Sequence, residues 1–126
     1  MNGPERLIRE LLALGHEVEL VMATNGNRFA VISNFVVPLG RFAGREIDLG
    51  FLGTADFPIS VASSIHVRAN PQLYEKTDSV ANVRNITDSA LGPEWRYWSK
   101  NLGWNGNGEK SARHLMTIIN GVFENA

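Results

Sequence analysis

The chain of 126 residues contains no cysteine. That single fact excludes disulfides, thiolate zinc sites, iron–sulfur clusters and every cysteine nucleophile. A chain of this length without covalent or metal staples has to be held by one apolar core. Apolar residues make up 44% and charged residues 20%, which is enough for such a core and argues against intrinsic disorder. The expectation is one domain over residues 1–126.

The core should be visible as periodic apolar spacing. Pro4 to Leu14 reads as a helix. Proline suits a first turn, Glu5 favours the positive helix end, and Leu7, Ile8, Leu11, Leu12 and Leu14 recur at helical spacing. Gly15 is its expected stop. The period then changes to two. Glu17 to Met22 alternates, with Val18, Leu20 and Met22 on one face. Asn25-Gly26 predicts a two-residue hairpin, since both residues tolerate positive φ. Phe29 to Val37 is the returning strand and Glu46 to Phe51 a third. Ser60 to Val67 is a fourth, short one.

From Ala69 to Pro93 no period is sustained, and such a long segment in a small domain is usually functional. Glu94 to Lys100 reads as a helical turn, and Gly103 to Gly108 as a loop. Glu109 to Glu124 is the clearest helix, with Ala112, Leu115, Met116, Ile119 and Phe123 on one face. The order predicts an α+β domain: an N-terminal helix, an antiparallel meander, an irregular segment, and a C-terminal helix packed on the sheet.

Charge narrows the function. Lys plus Arg number 12 against 13 Asp plus Glu. No basic excess supports nucleic-acid or acidic-membrane binding. No apolar run approaches the roughly 20 residues of a membrane span. The N-terminal residues do not read as a signal peptide, so a cytoplasmic location is expected. His16, His66 and His114 are too widely spaced to suggest a metal site. No cofactor motif stands out. Gly103 to Ser111 almost matches a phosphate-binding loop, but Glu109 is inserted before Lys110 and turns the lysine aside. No serine-hydrolase elbow is present. Each histidine reads first as a structural residue, and Trp95, Trp98 and Trp104 read as core packing rather than as partner anchors.

In their order, several short motifs resemble the ubiquitin-conjugating-enzyme superfamily, and in particular a bacterial branch of it. Val36-Val37-Pro38-Leu39-Gly40-Arg41-Phe42 is similar to its strand-ending Leu-Pro-x-Gly element. Ile47-Asp48-Leu49 resembles its third strand, and Phe57-Pro58 the Tyr-Pro that follows. Trp95-Arg96-Tyr97-Trp98-Ser99-Lys100 is similar to a Trp-x-x-Trp-Ser-Arg element. Trp104, Gly106 or Gly108, and Leu115 fit the approach to the last helix. The resemblance spans about Val18 to Phe123.

It also has gaps. Classical members carry a His-Pro-Asn triplet and then a catalytic Cys. Here the corresponding stretch is Arg68-Ala69-Asn70-Pro71-Gln72, and the Cys is absent. A thioester therefore cannot form on this chain. The resemblance implies a cysteine-free relative that binds an adenylating activating enzyme and a ubiquitin-like modifier, in a bacterial conjugation pathway with antiviral defence as its setting. Scaffolding of the transfer is the favoured role, since positioning needs no nucleophile. The other is an oxyester on a hydroxyl of the irregular segment, with Ser89 first, Ser79 second, and Thr87 and Ser99 behind them. A hydroxyl needs an adjacent base for this. By resemblance Arg6 and Arg9 would line the activating-enzyme contact, with Phe42 and Phe57 as apolar anchors. The alternative is a small α+β adaptor or immunity-type module unrelated to conjugation.

Overall fold

A computed structural model of the chain describes residues 2–78, 83–104 and 110–126. Helix α1 (Pro4–Ala13) is followed by strands β1 (Val18–Met22), β2 (Arg28–Val36), β3 (Glu46–Leu52), β4 (Ser64–Arg68), β5 (Asn85–Ser89) and β6 (Gly92–Ser99), and then by helix α2 (Ala112–Asn125). The strands form one antiparallel sheet in the order β1-β2-β3-β4-β6-β5. The α+β class and its order of helix, meander and helix are those the periodicity predicts.

Alternation on the central strands builds the main core. Ala30, Ile32, Leu49, Phe51, Ile65, Val67, Ile86 and Trp98 join Leu7 and Leu11 of α1 and Leu115, Ile119 and Phe123 of α2 in one buried cluster. Phe123 reaches Phe35 and Trp98, with ring centroids 6.1 Å and 5.7 Å away. The two helices are also joined directly. The Glu10 carboxylate of α1 accepts the Ala112 N–H at 2.8 Å, so one helix caps the other. Ser111 is the N-cap of α2 and accepts from His114 N–H.

Several expectations are corrected. Glu94 to Lys100 is not a helical turn. It lies largely in β6, whose aromatic residues suit a pleated surface better than a helix. The irregular segment after Ala69 also contains β5, which among the strands pairs only with β6. Because β6 lies between β4 and β5, the sheet is a meander through β4 and then crosses over, with β5 at its edge. The Asn25-Gly26 hairpin is longer than two residues. Ala23 N–H donates to Asn27, Gly26 alone takes the positive φ of 85°, and Asn25 uses its side chain to accept from Asn27 N–H. Leu20 and Met22 do not pack on the final helix: they are 43% and 69% exposed on β1, an edge strand. Leu12 and Leu14 likewise face solvent at the end of α1. The near-match to a phosphate loop falls mostly outside the described residues.

Trp95, Trp98 and Trp104 are all buried, as core packing predicts. They serve different places. Trp98 is in the main core. Trp104 stacks on Phe57 and donates its indole N–H to the Pro58 carbonyl at 2.8 Å. Trp95 belongs to a second cluster on the opposite sheet face, with Ala23, Phe29 and Val31.

Candidate functional site

An open groove of about 740 Å³ lies at one end of the sheet. β3 supplies Asp48, the end of β4 supplies Arg68, the following loop supplies Gln72 and Glu75, and β6 supplies Glu94 and Arg96. A β-bulge in β2 helps to shape the rim. The register with β3 shifts between Ile32 and Phe35, Asn34 adopts φ 58°, and its N–H donates to Asp48 at 3.2 Å. Asparagine tolerates this conformation better than most residues.

The charges of the groove are largely matched within it. Arg68 donates to Asp48 at 2.8 Å, approaches Glu94 at 3.8 Å, and lies over the Trp95 ring at 4.8 Å. Arg96 pairs with Glu75 at 3.0 Å and donates to the carbonyls of Pro93 and Trp95. Gln72 donates to the Glu94 carbonyl at 2.6 Å. Of the four buried side-chain polar atoms without a partner among the described residues, two belong to the groove: Gln72 Oε1, an acceptor, and Arg96 Nε, a donor. Such a surface suits an uncharged hydrogen-bonding segment better than an anion. Its wall includes Arg68-Ala69-Asn70-Pro71-Gln72, and among the described residues its lining contains no serine, threonine, histidine or tyrosine.

The hydroxyls singled out in the sequence lie elsewhere. Thr87 is exposed on β5, and Ser99 is buried at the end of β6. Ser79 lies outside the described residues. Ser89, half-buried at the end of β5, is the one whose hydroxyl meets a potential base. Its Oγ is 2.7 Å from Nδ1 of His66. It also accepts the Leu91 N–H at 3.0 Å, which ties down the turn between β5 and β6. That turn folds over the second sheet face because Gly50 leaves room for it. A Cβ there would stand 2.9 Å from Leu91 and 3.4 Å from both His66 and Trp95.

His66 is 4% exposed, and burial pushes its pKa down to about 4. Phe29 and Tyr97 contact its ring edge-on, with centroids at 4.8 Å and 5.3 Å. The spacing of His66 and Ser89, 23 positions apart, does not by itself join them. A signal did exist in the aromatic alternation of Trp95 and Tyr97, which marks a strand and would have placed the chain's return beside β4.

The residues expected at a partner surface divide. Arg9 is exposed, and Arg6 is partly exposed while bonded to Glu10 at 2.6 Å. Partial burial pushes the Glu10 carboxyl up. The hydrogen bonds from Arg6 and Ala112 N–H, with the charges of Arg6 and Arg9, outweigh it and hold the group below its ordinary value. Phe42 is half-buried, edge-on to Tyr74 at 5.1 Å. Phe57 is 0% exposed within the main core, so it cannot anchor a partner. Among the described residues, no cluster of histidine and carboxylate groups is arranged to hold a metal ion, and no helix is long and apolar enough to cross a membrane. Compared with family models, curated proteins and solved structures, the chain matches none.

Proposed function

We propose that this chain is a cysteine-free protein of the ubiquitin-conjugating-enzyme kind, which assists transfer of a ubiquitin-like modifier from an adenylating activating enzyme in a bacterial conjugation pathway, with antiviral defence as its setting. The observation that carries the reading is the groove. It is walled by residues 68–72, the stretch that stands where classical members carry their triplet, and it offers hydrogen-bonding groups without a nucleophile. A groove of that kind can hold an extended chain segment in place, and holding reacting partners in the right geometry accelerates transfer by itself. The sequence motifs and the order of helix, antiparallel meander and helix agree with this reading.

In this proposal α1 meets the activating enzyme through Arg6 and Arg9, with Phe42 as a separate apolar contact. The modifier's C-terminal tail lies in the groove. The test is co-purification with an activating enzyme and a modifier encoded beside this gene, followed by conjugation assays with and without the chain. Complex formation and conjugation that depends on the chain are expected. Reversing both arginines to glutamate should slow association, because charges at a rim steer encounter. Conjugation that proceeds equally well without the chain overturns the proposal and leaves the small binding adaptor as the better reading.

A further inference from the structure

The Ser89–His66 pair lies outside the groove and has no part in holding partners there. It does have the elements of an activated hydroxyl. Ser89 Oγ accepts a backbone N–H from Leu91, which fixes the oxygen, and its remaining close contact is a ring nitrogen at 2.7 Å. The imidazole is uncharged at neutral pH because it is buried. Edge-on contacts with Phe29 and Tyr97 restrict its ring. A nucleophile hydrogen-bonded to an oriented base is the general arrangement for hydroxyl acylation. Trp95 connects this place to the groove. Its ring lies under Arg68 on the groove side, and it approaches the 89–92 turn through Gly92, where a Cβ would meet the ring at 3.7 Å.

We infer that Ser89 and His66 form an acyl-accepting site, which takes an activated carboxyl group onto Ser89 Oγ as an ester. His66 in the tautomer protonated at Nε2 accepts the hydroxyl proton at Nδ1. Ser89 Oγ attacks the carbonyl carbon of a thioester, a C–O bond forms and the C–S bond breaks. The proton held by His66 passes to the departing thiolate, which leaves as a thiol. The identity of the physiological donor, the modifier's thioester on an activating enzyme, rests on the reading proposed above, whereas the pair's reactivity does not.

The experiment therefore has two arms. In the first, the purified chain is treated with p-nitrophenyl acetate, and acetylation is mapped by peptide mass spectrometry. Acetyl on Ser89 is expected. Ser89→Ala should lose it, and His66→Asn, which removes the base, should slow it about 100-fold or more. Circular dichroism melting establishes that each variant is folded. Ser89→Cys provides a second check should His66→Asn unfold: it should carry the acetyl group as a thioester that a thiol reductant cleaves, whereas the wild-type ester resists reductant and yields to hydroxylamine. In the second arm, activating enzyme, modifier and ATP replace the small ester. An acetyl adduct without a modifier adduct supports the acyl site and overturns the modifier's thioester as its donor, while the scaffolding reading, which needs no adduct, stands or falls by the conjugation assay. Co-purification with the activating enzyme while Ser89 stays unmodified in both arms overturns the acyl site and leaves the conjugation reading standing. Acetylation of folded His66→Asn at the wild-type rate also overturns it.

Discussion

The two faces of the sheet are closed by different means. One is covered by α1 and α2, and its core continues from Leu7 through Leu49 and Trp98 to Phe123. The other has no helix over it among the described residues. Its small cluster of Ala23, Phe29, Val31 and Trp95 is covered instead by Ala90 and Leu91, where the turn between β5 and β6 folds back. The first face is packed mainly with apolar side chains. The second places a buried histidine and a serine against each other. The contrast is physical. A helix supplies a wide apolar stripe, whereas a turn brings backbone polar groups that need partners. Chemistry has collected on the side that a turn closes.

The comparison is broken most directly on the helix face. Leu115 is 2% exposed beneath the sheet, and Leu115→Ala should cost about 2–5 kcal/mol, the range for a buried leucine whose site cannot collapse. An unchanged melting midpoint would mean that α2 does not close this core.

The second face should reveal itself through pH. His66 has a folded pKa of about 4 against an ordinary value of 6.5. Above 6.5 it is neutral in both states and has no pH-dependent effect. As pH falls below 6.5 the unfolded chain gains a proton that the folded chain refuses, so stability declines until about pH 4. The loss across that window should be about 3 kcal/mol. Denaturant unfolding at pH 7 and pH 4 measures it, and His66→Asn should remove most of the difference. An undiminished difference in the variant would assign the pH dependence to other groups.

The joint between the two helices should give a smaller effect. Glu10→Ala leaves the Ala112 N–H without its carboxylate and Arg6 without its partner, and should cost about 0.5–2 kcal/mol, as for loss of a helix cap. Because Glu10 titrates below its ordinary value of 4.5, its contribution is complete above that pH and is lost as pH falls through the lowered value. This window lies below most of the one set by His66. Acid titration of His66→Asn and Glu10→Ala, each of which keeps the other group, therefore separates helix joint from sheet face.

How much of this was legible in the sequence follows the same division. The stripe of α2 and the alternation of β3 predict their buried residues correctly, because each element has one face in the core and the period reports it. β6 was misread because it is buried on both faces. Trp95 and Trp98, three positions apart, point to opposite clusters, and three is also a helical spacing. β5 is only five residues long and offers a single apolar residue, Ile86. The groove walls at 68–72 lay in the stretch that the resemblance singled out. The Ser89–His66 pair did not show itself, since it depends on how the turn lands on the sheet and on the space that Gly50 leaves.

The smallest expected effect tests the misread edge. Alternation alone placed Val18, Leu20 and Met22 in the core, yet it cannot tell a central strand from an edge one. β1 is one of the sheet's two edge strands, and Met22 pairs with Arg28 at its end. Met22 is 69% exposed, so replacing it by threonine removes little burial and keeps a residue suited to a strand. Met22→Thr should change stability by no more than about 0.5 kcal/mol, as exposed substitutions generally do. Leu20→Thr, at 43% exposure, should cost somewhat more while remaining well below Leu115→Ala. Chemical denaturation of the three variants side by side gives the ranking. A cost at Met22 comparable to that at Leu115 would mean that the edge of β1 is covered in solution, and the extent of the helix-covered face would have to be redrawn.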